Sequence, residues 1–326
     1  MKEWRYWFAG NKGTLSALAI FIVMFGVYVS NHPAGFTPNV VQTAANKGSL
    51  LAFIAMAQAI VVITAGIDLS VGMIFILCNC LASAIVAGSA GMTALGVIAV
   101  LLTGIACGAV NGAIVVMGRL QPIVTTIATG AVFYGLALFV RPFPGGAVND
   151  VLADALTSKI FGIFPASFIV LALVVLLVWV PYSRSVMGRT AYAIGSSESA
   201  AFMSGMPVNR AKFFAYVLSG FLSAIGGLYL TFFSYTGEAS YANGSNYTLF
   251  SIASVVLGGV SLMGGRGSAL GAVFGALAFR TIGDLLFVFD FDPLWQPLFQ
   301  GIILVLAIAA GTIGLFQVRN KLDWFR

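Results

Sequence analysis

Arg280 and Asp284 stand four residues apart within an apolar run, a spacing that puts both side chains on one face of a helix. Each charge alone is costly in hydrocarbon, so the two are expected to pair with each other or to face a wet cavity. That is the chemistry of a solute or ion pathway. It is equally the chemistry of a buried structural pair, or of two residues near the outer end of a helix where water reaches. Little else here could do chemistry. The only histidine, His32, stands beside Pro33 at the end of an apolar run and reads as a loop residue. Cys78, Cys80 and Cys107 lie inside apolar runs with no second ligand cluster and read as packing residues, so no metal site is expected. No Gly-Lys-Ser/Thr closes a glycine-rich loop; Asn11-Lys12-Gly13 and Asn46-Lys47-Gly48 lack the nucleotide-binding pattern. With one histidine and ten carboxylates, no nucleophile–base set can be assembled, and an enzyme is a poor reading.

The elements that must position these residues follow from composition. Only 8% of the chain is charged and 60% is hydrophobic, with a mean hydropathy of +1.01. A soluble domain is about 25% charged, so too few charges remain to coat a water-exposed surface. The chain reads as an all-α polytopic membrane protein, a single transmembrane domain over 1–326 whose surrounding partner is membrane lipid. The 38 glycines suit close helix packing in lipid. The net charge of +6 reports topology rather than affinity for nucleic acid.

Apolar runs bounded by Gly, Pro and charge give about ten spans, within a range of eight to eleven: 14–30, 48–66, 71–88, 93–117, 122–140, 165–181, 212–234, 247–263, 268–289 and 294–315. The first follows Lys2, Arg5 and Lys12, exceeds a signal-peptide core and lacks a small-residue cleavage site, so it reads as an uncleaved span. With the N-terminus inside and spans alternating, Lys2, Arg5, Lys12, Arg119, Arg184, Arg189, Arg210, Lys212, Arg266, Arg319, Lys321 and Arg326 fall inside. Only Lys47, Arg141 and Lys159 fall outside. That asymmetry supports both termini in the cytoplasm and an even number of crossings.

Two short glycine-rich turns interrupt the spans. In Gly66-Ile67-Asp68-Leu69-Ser70-Val71-Gly72, Asp68 and Ser70 are placed to cap the following helix, and glycine permits the sharp reversal. The turn is either a well-capped corner or a gate or hinge at Gly66, Asp68, Ser70 and Gly72. A similar turn, Gly264-Gly265-Arg266-Gly267-Ser268, adds Gly264, Gly265 and Gly267 to the candidate hinge. Both turns are expected on the cytoplasmic side with both incoming helices running the same way, which would fit two related halves in parallel.

Residues 183–211 form a hydrophilic stretch between two spans, read as a cytoplasmic loop carrying a short helix. Ser196 or Ser197 can cap it, Glu198 falls in its first turn, Gly205 can end it left-handed and Pro207 forbids its continuation. Ala200, Ala201, Phe202 and Met203 are too few apolar residues to fold alone. The helix needs a groove, either in a partner or on its own bundle.

Four stretches carry a resemblance to the permease subunits of bacterial ATP-binding-cassette (ABC) importers for monosaccharides, of the ribose/xylose/galactose type, related to the branched-chain amino acid permeases. They are the 66–72 turn; Pro122-Ile123-Val124-Thr125-Thr126-Ile127-Ala128-Thr129 with Tyr134-Gly135-Leu136-Ala137; Tyr192-Ala193-Ile194-Gly195 through Ser204-Gly205; and Val256 through Ser268. The resemblance implies a multi-pass protein of the bacterial inner membrane. It implies a second permease, identical or sister, two ABC ATPase subunits beneath and a periplasmic sugar-binding protein above. ATP and magnesium would belong to the ATPase, with no cofactor on this chain. It makes the segment holding Ser196, Ser197, Glu198, Ala200, Ala201, Phe202 and Gly205 the coupling helix that sits in an ATPase groove. Two departures stand out. Where the family commonly has Gly-Gly-Asn-Glu-Glu-Ala-Ala, this chain has Gly195-Ser196-Ser197-Glu198-Ser199-Ala200-Ala201, and Ala65 replaces the first of two glycines before Ile67.

The residues keep an ion-coupled secondary transporter open as the alternative, with Arg280 and Asp284 as its mid-span coupling candidates and Asp68 at a helix end. Polar side chains along the spans that could touch a sugar are Gln58, Asn79, Asn111, Thr125, Thr129 and Tyr134; the first two and the two threonines are the primary pathway candidates. Each could equally bond helix to helix. The loops 141–164, with Asp150 and Asp154, and 235–246, with Glu238, are candidate contacts for the binding protein.

Overall fold

A computed structural model describes residues 11–306 and 309, so Lys2, Arg5, Arg319, Lys321, Arg326 and the end of the tenth expected span lie outside the described residues. In order, the helices are α1 Lys12–Asn31, α2 Pro38–Ile63, α3 Val71–Ile85, α4 Ala90–Val116, α5 Pro122–Val140 and α6 Asp150–Thr157. A hairpin follows, β1 Lys159–Ile160 against β2 Phe164–Pro165. Then come α7 Ala166–Arg184, which contains a π turn at Val175–Trp179, α8 Val186–Ser196, α9 Glu198–Met203 and α10 Val208–Ser234. The rest are α11 Tyr241–Leu257, α12 Ala269–Val288 and α13 Gln296–Leu306. Each of the ten expected spans overlaps one of these helices, the eighth running past the end of α11 at Leu257 and the tenth lying partly outside the described residues; α9 is the expected short helix, and α6, α8 and the hairpin are additions. By length and apolarity, α1, α2, α4, α5, α7, α10 and α12 suffice to cross a membrane, while α3 and α13 are shorter apolar helices.

Several expected boundaries move. Thr37 caps α2 with Pro38 at its first turn, so the helix starts well before residue 48, and Lys47 sits inside it rather than in a loop. The sequence hides this start because the first turns carry Asn39, Gln42 and Asn46, which break the apolar run. Hydroxyl caps punctuate the rest: Ser185 accepts from Gly188 N at 3.1 Å, Ser240 from Asn243 N at 3.2 Å and Ser268 from Leu270 N at 3.2 Å.

α2 is the centre of the bundle. Every residue from Gly48 to Ile63 is buried, against α10, α12, α11 and α7. Helix α10 runs along α4, α3 and α2, and α12 packs on α1, α2 and α11. The α4–α10 contact is built from small residues: a Cβ on Gly104 would strike the carbonyl of Gly220, and one on Gly108 the carbonyl of Tyr216. Backbones can approach this closely only where side chains are missing, which is how helices associate without a hydrophobic drive in lipid. The outward faces of α1, α4, α5 and α7 expose Val23, Leu102, Phe139 and Leu177. Exposed apolar residues around the girdle of a polar-cored bundle suit hydrocarbon, not water. Cys78, Cys80 and Cys107 are buried thiols without disulfides.

Candidate functional site

At one end of the bundle, three stretches distant in sequence interlock through their backbones. The turn after α2 comes first. Gly265 N donates to Ile63 O at 3.0 Å, and a Cβ on Gly264 would lie 2.7 Å from Ala65 N. The end of α8 is the third member: a Cβ on Gly195 would strike both Gly265 N and Ile63 O. Tyr192, one turn earlier on α8, donates its hydroxyl to Gly267 O at 2.7 Å. Burial pushes the Tyr192 phenol up to about 12, so it stays a donor. Gly264, Gly265 and Gly267 all have positive φ, at 83°, 69° and 103°. So does Ala65, at 61°, a left-handed position that glycine would take without strain. The two glycine-rich turns expected to lie at the same end do so, and they touch.

The short helix hangs from this junction. Ser197 caps α9, accepting from Ala200 N at 3.3 Å, while Ser196 closes α8 and bonds back to Tyr192 O at 3.0 Å. Between two serines the sequence could not choose; only Ser197 has the extended backbone of a cap, with φ −166° and ψ 108°. Gly205, at φ 72°, ends the helix as expected. Met206 N bonds Ala201 O at 3.1 Å and Gly205 N bonds Phe202 O at 3.0 Å, the paired pattern of a left-handed stop. Ala201 is buried against Ile194, Val208 and Ala211, and Glu198 pairs with Lys212 of α10 at 2.6 Å. The other face points away: Phe202 and Met203 are 71% and 80% exposed. One face of α9 is thus seated on its own bundle, and Phe202 and Met203 on the other are exposed among the described residues.

Behind the junction lies a polar network. Asp68 is buried; Oδ1 accepts from Ser70 N at 3.0 Å and Ser70 Oγ at 2.6 Å, and Oδ2 accepts from Ser219 Oγ at 3.0 Å. Ser70 occupies the N-cap of α3 but its side chain makes no capping bond, contrary to expectation, because its hydroxyl is turned to Asp68. Asn111 Nδ2 donates to Ser70 Oγ at 2.7 Å, and Thr129 Oγ1 donates to Asn111 Oδ1 at 2.6 Å. Thr126 accepts from Leu69 N at 2.9 Å, and Gly72 N donates to Thr248 Oγ1 at 3.1 Å. The 66–72 turn is thus tied to α4, α5, α10 and α11 together.

The pathway candidates sit as follows. Thr129 belongs to this network. Asn79 ties α3 to α10 and the following loop, donating to Thr231 Oγ1 at 2.9 Å and accepting from Glu238 N at 3.0 Å. Gln58 and Thr125 are buried without a side-chain partner among the described residues. Tyr134 donates weakly to Ala239 O at 3.4 Å and packs edge-on to Tyr241. Asp150 heads α6, and Asp154 accepts from the Tyr235 hydroxyl. Arg280 and Asp284 do not pair with each other. Asp284 takes Lys47 of α2 at 3.4 Å, and both α12 residues line one cavity. Sequence spacing within one helix could not foresee a partner 237 positions away.

A family described as the branched-chain amino acid transport system / permease component matches residues 40–308. A ribose import permease protein of Bacillus subtilis is 35% identical over 298 residues, covering 89% of this chain and 90% of that protein. A fructose import permease protein of Rhizobium meliloti is 30% identical over 303 residues, covering 90% and 83%. An autoinducer 2 import system permease protein of Enterobacter sp. is 32% identical over 295 residues, covering 89% and 84%. No solved structure matches.

Proposed function

We propose, for a chain that belongs to the branched-chain amino acid transport system / permease component family, that it is the membrane subunit of an ABC importer whose cargo is a monosaccharide. It is a multi-pass protein of the bacterial inner membrane. The relatives named for ribose and fructose support the sugar; the one named for autoinducer 2 marks how wide the cargo range of similar chains runs. ATP and magnesium belong to a separate ATPase subunit, and a second permease, identical or sister, completes the pathway. A periplasmic sugar-binding protein delivers the cargo on the side away from α9.

One observation carries the coupling role. Helix α9 packs its inner face on Ile194, Val208 and Ala211 and follows directly on the end of α8 that clasps the turns between α2 and α3 and between α11 and α12, while Phe202 and Met203 are exposed among the described residues. A motor gripping those two side chains would move several membrane helices at once, with no flexible linker to absorb the stroke. Ser196, Ser197, Glu198, Ala200, Ala201, Phe202 and Gly205 form this handle, and Gly66, Asp68, Ser70, Gly72, Gly264, Gly265 and Gly267 form the hinge it acts on. Gln58, Asn79, Thr125 and Thr129 are the inner polar side chains we assign to the pathway wall.

The test is reconstitution of the purified importer in proteoliposomes with its ATPase and binding protein. Phe202→Asp should abolish sugar uptake and detach the ATPase, while the permease stays inserted and monodisperse. Normal uptake with a normal ATPase rate in that variant would remove α9 from the coupling path. Uptake that collapses with an uncoupler yet ignores ATP would point instead to the ion-coupled alternative.

A further inference from the structure

The end of the bundle away from α9 opens into a cavity of about 620 Å³ between α1, α2, α12 and the chain entering α13. Its wall carries Lys47, Arg280 and Asp284, with His32 and Gln296 nearer the rim. Asp284 is occupied by Lys47 at 3.4 Å. Arg280, one helical turn deeper on α12 and half-buried, has no ion pair or hydrogen bond among the described residues. Another cation stands at the mouth, where Lys159 of the hairpin donates to Asn39, itself a lining residue. His32 Nδ1 accepts from Ala34 N at 3.1 Å, which leaves its Nε2 to donate. The cavity thus presents an excess of cations and donors over its one carboxylate, inside a chain with few charges.

We infer that this cavity is a binding site for a phosphate-class anion, held chiefly by Arg280. A guanidinium presents a planar fork that matches two phosphate oxygens. An unpaired cation within an apolar helix is costly, and a bound anion offsets that cost. Two sources share this chemistry. One is the headgroup of an anionic phospholipid, its acyl chains lying along the exposed Ile22, Val23 and Val27 of α1. The other is free phosphate entering from water. The inference concerns binding alone and stands apart from the transport reading.

The experiment uses the purified, delipidated full chain in neutral detergent, with dissociation constants measured by native mass spectrometry and by thermal shift. The probes are phosphatidylglycerol, phosphatidylcholine as the zwitterionic control, and inorganic phosphate. Phosphatidylglycerol should bind at least tenfold tighter than phosphatidylcholine and raise the melting temperature. Arg280→Gln should weaken that binding about tenfold, and Arg280→Lys should retain part of it. Thr43→Glu adds a negative charge at an exposed lining position without touching the packed core, and should weaken binding comparably. Tight binding of inorganic phosphate, lost in the same variants, would assign the site to a free anion. Displacement of lipid only by lipid would assign it to a headgroup. Binding of either probe that is unchanged in both Arg280→Gln and Thr43→Glu overturns the inference, as does wild-type protein that prefers neither anion.

Discussion

At one end of the bundle three chain segments meet through backbone atoms, with Gly195, Gly264 and Gly265 leaving no room for side chains. At the other end, Lys47, Arg280 and Asp284 stand around an open cavity and touch one another sparingly. The first arrangement is stiff because backbone contacts cannot re-pack by changing rotamer. The second is adaptable because long charged side chains can. The difference fits the function proposed above, in which the α9 end transmits a displacement and the opposite end admits and releases partners.

The sharpest way to break this comparison is Gly195→Val. Its branched side chain would drive Ile63 O and Gly265 N apart, and overpacking against backbone costs about 3 kcal/mol or more. The expected result is loss of ATPase-coupled uptake and a sharply lower yield of folded protein on size-exclusion chromatography; a well-folded, coupled variant would show the junction to be loose. Next comes Asp68→Ala, which strands the Ser70 N–H and the Ser70 and Ser219 hydroxyls in a buried site. It should cost about 3 kcal/mol, read as a drop in the thermal midpoint in detergent, with Asp68→Asn intermediate. Ala65→Gly tests the stiff end in the opposite sense. Relieving a left-handed alanine should raise stability by about 1 kcal/mol, and an unchanged midpoint would mean that the greater freedom of the unfolded glycine cancels the relief. The smallest effect belongs to the adaptable end. Lys47→Gln should cost no more than about 1 kcal/mol, since water and Arg280 can both answer Asp284 once its partner is gone.

The positions of the long helices were legible because charges, prolines and glycines bracket long apolar runs, and the short helix at 198–203 was legible from its serines, Gly205 and Pro207. The two turns were visible as glycine clusters. What could not be read was their meeting with Gly195: a glycine that matters because another backbone lies against it leaves no side-chain signature. The start of α2, ahead of Lys47, was hidden for a different reason. The polar first turns of α2 resemble a loop in composition, and Asp284, the partner of Lys47, belongs to a helix far along the chain. The hairpin at 159–165 escaped because nearly all of it falls in the 141–164 segment read as a loop, and strands of two residues are too short to show an alternating pattern.

The unbroken burial of α2 from Gly48 to Ile63 has a consequence for how the molecule is made. This helix leaves the ribosome well before α10 and α12, which enclose it. At bacterial elongation rates the wait is on the order of ten seconds. Throughout it, Asn46, Ser49 and Gln58 face lipid or the insertion machinery instead of the neighbours that later bury them. The centre of the finished bundle is therefore its most vulnerable part during biogenesis, and a chaperone or insertase that shelters a single early helix would set the yield of the whole permease.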